Sequence, residues 1–354
     1  VRPALPSDAR DQAKALRFFG RILRQSRLAH AYLLSGPSGV GKERLALFLS
    51  KILLCDVPDI EKDPPLPCGK CPGCRKVDRA IHPDLAIVRP DGAMIKIQQI
   101  RELQRRLAYP PLEARRRVCV IAQAERMNPE AANALLKTLE EPTPGTHHLL
   151  TASSAGNLLP TVVSRCQTLR CAPLSVETLE DLLRNESACP AALVPFLART
   201  AQGSISRARQ LAAQDIASIR EKIFGFLAGP AGSPIPRFFS LSKEMAGSPE
   251  ILMVWVQIIR SVVLDVMLYM RAGEWKASTE TRLDPTILVN RDLQAEIRAM
   301  SSWYDWRDLE DYSLWLDGVE GLLQRNVNRE FLSEAALAFW FRKRREDGTR
   351  LLAS

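Results

Sequence analysis

Four cysteines and one glycine-rich turn have the most definite chemistry in this sequence. Cys68, Cys71 and Cys74 stand as C-x-x-C-x-x-C, and Cys55 precedes them by twelve intervening residues. Four thiolates can close a tetrahedral zinc shell, and a shell with no open position is structural rather than catalytic. An iron–sulfur cluster is the other occupant that four cysteines admit. Residues 36–43 read GPSGVGKE. Gly36, Gly41 and Lys42 keep the spacing of a phosphate-binding loop, G-x-x-x-x-G-K, whose amides cradle an anion at a helix N-terminus. A working loop continues with Ser or Thr, whose hydroxyl ligates Mg²⁺. Here the next residue is Glu43, whose carboxylate repels phosphate. The metal also needs an acidic residue at the end of a second strand. In VCVIAQAERM those positions hold Ala122 and Gln123, and Glu125 lies three residues past the first. Two parts of a magnesium site are missing together, so this chain is expected neither to hold ATP productively nor to hydrolyse it.

Arg165, in TVVSRCQ, is the third candidate. An arginine can stabilise developing phosphate charge on a neighbouring subunit's nucleotide, or it can be a plain surface arginine. Spacing alone does not choose. Arg105, Arg106, Arg115, Arg116 and Arg117 are either phosphate contacts or a solvated face.

Elements must hold these residues in place. AYLLSG reads as a short strand running into the loop, and GKERLALFLSKILLC as a helix with Leu45, Phe48, Leu49, Ile52 and Leu53 at helical spacing. The Pro- and Asp-rich DVPDIEKDPPLP breaks it. HPDLAIVRP, RRVCVIAQ and THHLLTASS read as further strands. KALRFFGRILRQSRLAH reads as an amphipathic helix and its exit, and IKIQQIRELQRRLAYPP as a helix stopped by Pro110. In NPEAANALLKTLEEPTPG, Asn128 suits an N-cap and Pro129 the first helical position. This alternation means an α/β domain with a mostly parallel sheet. After Pro173 the pattern is all helical, and GPAGSPIPR (229–237) reads as a linker. The expected domains are 1–171 with a metal module at about 55–74, a helical 172–228 and an all-helical 229–354.

A chain of 354 residues is too long for one ordinary core. It is 46% hydrophobic and 25% charged, the composition of a folded protein. A net charge of +9 favours a polyanionic partner or simply a basic surface. Residues 1–12 show no signal-peptide pattern. Arg260 and Asp265 interrupt the apolar run 251–270, which is expected to be a buried core helix and not a membrane span. A cytoplasmic setting fits eight cysteines used for metal or as buried thiols. All eight lie at or before Cys189, and all six tryptophans at or after Trp255, a further sign of separate domains.

The motifs LLSGPSGVGKERLA, LLC…CGKCPGCRKVDRAIHPDL, AANALLKTLEEP and VVSRC, in that order, resemble the bacterial clamp-loader subunits of DNA polymerase III. Those are AAA+ proteins. The resemblance covers about residues 20–170, and GSISRA (203–208) resembles the sensor 2 region of their lid. It implies a RecA-like P-loop domain with an inserted zinc module, a helical lid and an all-α collar that holds an oligomer together. Cys55, Cys68, Cys71 and Cys74 map onto the ligands of a structural Zn²⁺, and Arg165 onto an arginine finger acting in trans. Gly36, Gly41 and Lys42 map onto a degenerate nucleotide loop, Arg207 onto sensor 2 and residues 151–154 onto the sensor 1 strand end. Trp303, Trp306, Trp315 and Trp340 either pack in the collar ring or fill their own domain's core. The implied partners are a gamma/tau motor and delta, with the sliding clamp and primed DNA reached through the complex, and no membrane. Gamma/tau keeps both acidic and hydroxyl magnesium groups, so this chain is closer to a non-catalytic member. One rival is a motor ATPase using Glu43 and Glu125 in unusual positions. The other is a stand-alone zinc-bearing DNA-binding protein. Against that one, His147 and His148 are adjacent, not at zinc-finger spacing.

Overall fold

The computed structural model describes residues 11–186, 189–227, 235–275, 288–343, 345–346 and 349–350. The chain divides into two compact units. One comprises residues 1–185 and 202–207, the other 186–201 and 208–354. Most of the expected linker, residues 229–234, lies outside the described residues.

The first unit is built on β1 (Ala31–Ser35), β2 (Leu85–Val88), β3 (Arg117–Ile121), β4 (Thr146–Ala152) and β5 (Gln167–Arg170). They form a parallel sheet in the order β2-β3-β4-β1-β5. β1 shows why its sequence is apolar throughout. Tyr32 and Leu34 face one core, with Leu16 and Phe19 of α1 (Ala13–Arg24) and Leu45, Leu49 and Ile52 of α2 (Lys42–Leu53). Ala31 and Leu33 face the other, with Ile121, Leu150 and the apolar sides of α4 (Ile97–Leu107) and α5 (Pro129–Glu140). A strand buried on both faces cannot alternate apolar and polar residues. α3 (Pro72–Asp78) belongs to the cysteine module, and α6 (Pro160–Val163) precedes β5. As expected, Asn128 caps α5, its Oδ1 accepting from the Ala131 amide at 2.9 Å. β5 has no apolar run and was not legible as a strand; of its four residues only Leu169 is buried.

The second unit contains α8 (Val194–Thr200), α10 (Ile216–Leu227), α11 (Ile235–Met245), α12 (Pro249–Trp275), α13 (Gln294–Met300), α14 (Trp306–Gln324) and α15 (Arg329–Lys343). α7 (Val176–Arg184) lies in the first unit, and α9 spans Ile205–Ala212. α12 is long and apolar enough to pass a test for a membrane span. It is instead the core of its unit, with Trp255, Ile258, Ile259, Val262, Val263 and Val266 all nearly inaccessible. The two charges inside its apolar run, residues 251–270, are both paired. Arg260 pairs with Asp317 of α14 at 2.8 Å. Asp265, fully buried, accepts from the amides of Val289 and Asn290 and from the Asn290 side chain, each at 2.8 Å. Of the four tryptophans considered for a ring interface, Trp340 is buried and Trp303, Trp306 and Trp315 are half-buried. Trp315 stacks on Tyr312, whose other neighbours are Phe339 and Trp340. Trp315 and Trp340 thus pack against rings of their own unit.

His148 lies at the centre of the sheet with both ring nitrogens unpartnered. Burial, aided by His30 and His147, lowers its pKa from 6.5 to about 4. The unfolded chain therefore takes up this proton first as pH falls. Stability should be intact above about 6.5 and decline as pH drops to about 4, by roughly 3 kcal/mol at most. His148→Leu is expected to flatten the fall in melting temperature between neutral pH and pH 5. An unchanged slope in the variant would assign the acid sensitivity elsewhere.

Candidate functional site

β1 ends in the glycine-rich loop, and α2 starts at its Lys42, so the strand–loop–helix frame of a phosphate loop is formed. Gly39 has φ +78°, and a Cβ there would lie 2.1 Å from the Ser204 hydroxyl. Only glycine fits. Ile205 donates its amide to the Gly39 carbonyl at 2.9 Å, so residues 203–207 lie directly against the loop. The Lys42 ammonium turns back and donates to the carbonyls of Gly36 (2.7 Å) and Pro37 (2.6 Å). Burial lowers its pKa, while Cys171 and Glu125 oppose the shift. Glu43 is held by Arg89, whose Nη2 lies 2.6 Å and Nε 2.7 Å from the same carboxylate oxygen. The residue in the hydroxyl position is thus committed to an ion pair that the sequence did not announce.

The end of β3 holds a second arrangement that spacing could not reveal. Gln123 adopts a left-handed conformation, φ 53°, and donates its amide to the Thr151 hydroxyl at 2.9 Å. This turn brings Glu125 back toward the strand ends. Its Oε1 accepts from the Ser153 amide at 2.9 Å, and its buried Oε2 has no partner. An acidic group therefore does reach the vicinity of Lys42, although Ala122 and Gln123 occupy the expected positions. Residues 151–154 serve as structural acceptors and caps here, with Ser154 capping a short turn at Gly156. Arg207 bonds Gln202 at 2.9 Å.

The four cysteines converge. One sulfur from each of Cys55, Cys68, Cys71 and Cys74 lies within 4.8 Å of all the others. Two of the separations are 3.9 and 4.0 Å, close to the ~3.8 Å edge of a ZnS₄ tetrahedron with bonds of ~2.3 Å. Each of three sulfurs also accepts a backbone amide: Cys68 to Cys55, Cys71 to Cys68 and Cys74 to Cys71, at 3.3 to 3.4 Å. Such donors favour thiolates. At Cys68 burial works against ionisation, but the amides of Lys70 and Cys71 and neighbouring thiols outweigh it and bring the pKa down to about 6, whereas burial pushes Cys55 up to about 11 and raises Cys74 as well. The donor set and spacing fit a structural tetrahedral ion. Bound there, it would tie the C-terminal end of α2 to α3. A Cβ on Gly73 would come within 2.4 Å of the Leu54 carbonyl, so the two helices meet at backbone distance.

Arg165 follows α6 and pairs with Glu140 of α5 at 2.7 Å, also donating to the Thr161 carbonyl. The five-arginine stretch does not act as a group. Arg117 is buried, not a phosphate contact: it donates to the carbonyls of Arg106, Tyr109 and Pro110 and lies 3.5 Å from Asp84.

A parallel sheet with β1 placed between β4 and β5 and a phosphate loop between β1 and α2 define an α/β P-loop domain, here with a candidate metal site inserted after α2. Residues 11–175 match the family model described as DNA polymerase III, delta subunit. Over those residues the chain is similar to DNA polymerase III subunits, delta′ among them. It is 37% identical to the Bacillus subtilis subunit delta′ over 51% of this chain and 53% of that protein. It is 29% identical to the Pseudomonas aeruginosa subunit delta′ over 88% of this chain and 92% of that one. The Escherichia coli subunit tau is 35% identical over 61% of this chain and 34% of its own length. The alignment to the B. subtilis relative thus spans about half of that protein.

Cys71→Ser is expected to abolish stoichiometric Zn²⁺ retention after gel filtration and to lower the melting temperature by several degrees. A chelator should reproduce the loss in the parent chain. Retention of one equivalent by the variant would remove Cys71 from the ligand set.

Proposed function

We infer that this chain is a non-catalytic clamp-loader subunit of the delta′ kind. The observation that carries the reading is at the phosphate loop. The position that should give Mg²⁺ a hydroxyl holds Glu43, which has none to offer and which pairs with Arg89 at the surface. The adjacent Lys42 donates to the loop's own carbonyls. Without a metal ligand at either expected position, the loop gives Mg·ATP no productive seat. Its shape is retained because the sheet and residues 203–207 pack against it. The subunit would work as a rigid partner of a gamma/tau motor and of delta, assisting ATP-driven loading of the sliding clamp onto primed DNA in the cytoplasm. Residues 172–228 would act as the lid and 229–354 as the collar in that assembly. A structural Zn²⁺ on Cys55, Cys68, Cys71 and Cys74 would hold the inserted module.

Arg165 is the group this reading assigns to chemistry. It would leave Glu140 and reach the nucleotide of the adjacent motor subunit, where a guanidinium stabilises charge developing on the transferred phosphoryl group. The ion pair is half exposed, so breaking it costs little.

Glu125 supports a second reading, a motor ATPase with a displaced acidic residue, since its free carboxylate oxygen lies buried near Lys42. Calorimetric titration of the full chain with Mg·ATP separates the two. A flat titration is expected, and micromolar binding with turnover would replace the first reading by the second.

Arg165→Ala should leave the melting temperature of the chain and assembly of the complex unchanged. It should reduce hydrolysis at the motor site it serves by on the order of 10³-fold. Full ATPase in a correctly assembled variant complex would remove the finger role.

A further inference from the structure

The segment between α4 and β3 is pinned by two buried charges and displays two large apolar side chains to solvent. Asp84 is fully buried and accepts three amides, from Leu112 (2.7 Å), Glu113 (2.8 Å) and Ala114 (2.8 Å). Those amides lead the contributions that lower its pKa, against the opposing effect of burial. Arg117, as described, donates to the Tyr109 and Pro110 carbonyls of the same segment and to the Arg106 carbonyl in the last turn of α4. Burying both charges to fix one surface segment is costly unless each is fully hydrogen-bonded, as these are. Yet the segment shields little of its own apolar surface. Tyr109 remains 70% exposed and Leu112 74% exposed. Ile81, three residues before Asp84, is 63% exposed. The fastened backbone thus holds Tyr109 and Leu112 out toward solvent while Ala114 packs against the core.

Two further features adjoin the segment. The outer edge of β2 pairs with no strand in the sheet. Beside it runs a groove of about 200 Å³ between β2 and α4, floored by Ala86, Val88 and Leu103 and flanked by Glu102 and Arg106. Arg106, in the last turn of α4, lines the groove, and its carbonyl accepts from the same Arg117 that holds Tyr109 and Pro110. The groove thus ends where the pinned segment begins. The exposed charge of α4 beside the groove is one-sided, with Arg101, Arg105 and Arg106 against Glu102. Glu102 already pairs with Arg105 and Arg106, and Glu113 with Lys76.

We propose that the β2 edge, its groove and the Tyr109–Leu112 display form a docking surface for an extended acidic segment of a partner protein that carries large apolar side chains. An edge strand receives an extended chain by backbone pairing, and flanking pockets take alternate side chains. Preorganised aromatic and arginine groups are the residue types that dominate binding energy at such contacts. A nucleic acid would meet the arginines and stack on Tyr109, but it has no use for Leu112, Ile81 or an aliphatic groove floor. Tyr109, Leu112 and Ile81 lie toward the strand starts, away from Lys42 and Glu125, and the groove runs along β2 as far as Val88. This surface uses none of the phosphate-loop residues.

Fluorescence anisotropy on the full chain tests this with three labelled probes: a dodecamer alternating Asp or Glu with Leu or Phe, the same peptide with Lys for each acid, and a dT dodecamer. The acidic peptide should bind at up to about 100 μM and weaken as salt is raised. Tyr109→Ala combined with Leu112→Ala should reduce its affinity by about tenfold or more, as should Arg105→Glu combined with Arg106→Glu. All four residues are exposed, and an unchanged melting curve verifies folding. No binding of the acidic peptide, equal binding of the Lys peptide, or an unaffected double variant overturns the proposal. Binding of dT alone that Tyr109→Ala abolishes overturns it in favour of a nucleic-acid surface.

Discussion

Burial of both faces of a parallel sheet is the constraint on which the first unit rests. β1, β3 and β4 carry apolar side chains on alternate residues into two separate cores, so helices must cover both sides. Once they do, polar chemistry has room only at the two ends of the strands. One end holds Lys42, Glu125, Thr151 and Ser153. The other holds Asp84, Arg117 and the loops they fasten. The histidine pair shows how strict the interior is. His147 reaches the Ala29 carbonyl at 2.9 Å, while its neighbour His148, facing the other way, finds no partner.

The frame was readable because its signals are local. Four strands, the Asn128 cap and the break before Pro110 each follow from a few adjacent residues. The cysteines were readable for the same reason, since three lie within seven residues of one another. β5 escaped because a short strand with one buried residue lacks the apolar run by which its neighbours are recognised. Residues paired across long separations escaped as well. Nothing in the string links Arg89 to Glu43 or Asp84 to residues 112–114, because those contacts arise from tertiary packing. Glu125 was seen but misplaced. A left-handed turn at Gln123 shortens its path to the strand ends, and the one-letter code does not report that turn. Arg117 was grouped with surface arginines by composition, when its place as the first residue of β3 directs it inward.

The second unit solves a different problem. A 27-residue helix with an apolar middle is buried among other helices, and the two charges within its apolar run are used differently. Arg260 reaches a surface partner. Asp265 stays inside and organises the backbone at Val289 and Asn290, and Asn290 in turn accepts from the buried Arg220 at 3.0 Å. Arg220 lies over the Phe196 ring, 4.7 Å from its centroid. Polar groups thus fix how the apolar helices align, which greasy contacts alone would leave loose.

α2 has Lys42 at its first position and ends two residues before Cys55. A helix advances about 1.5 Å and turns about 100° per residue. Adding or removing one residue within it would swing the Cys55 sulfur away from its three companions while the loop stayed in place, or the reverse. The chain between these two points is therefore of fixed length. Variation in length among related sequences has to fall on the other side of Cys55, in the stretch before Cys68, where no regular element counts the residues.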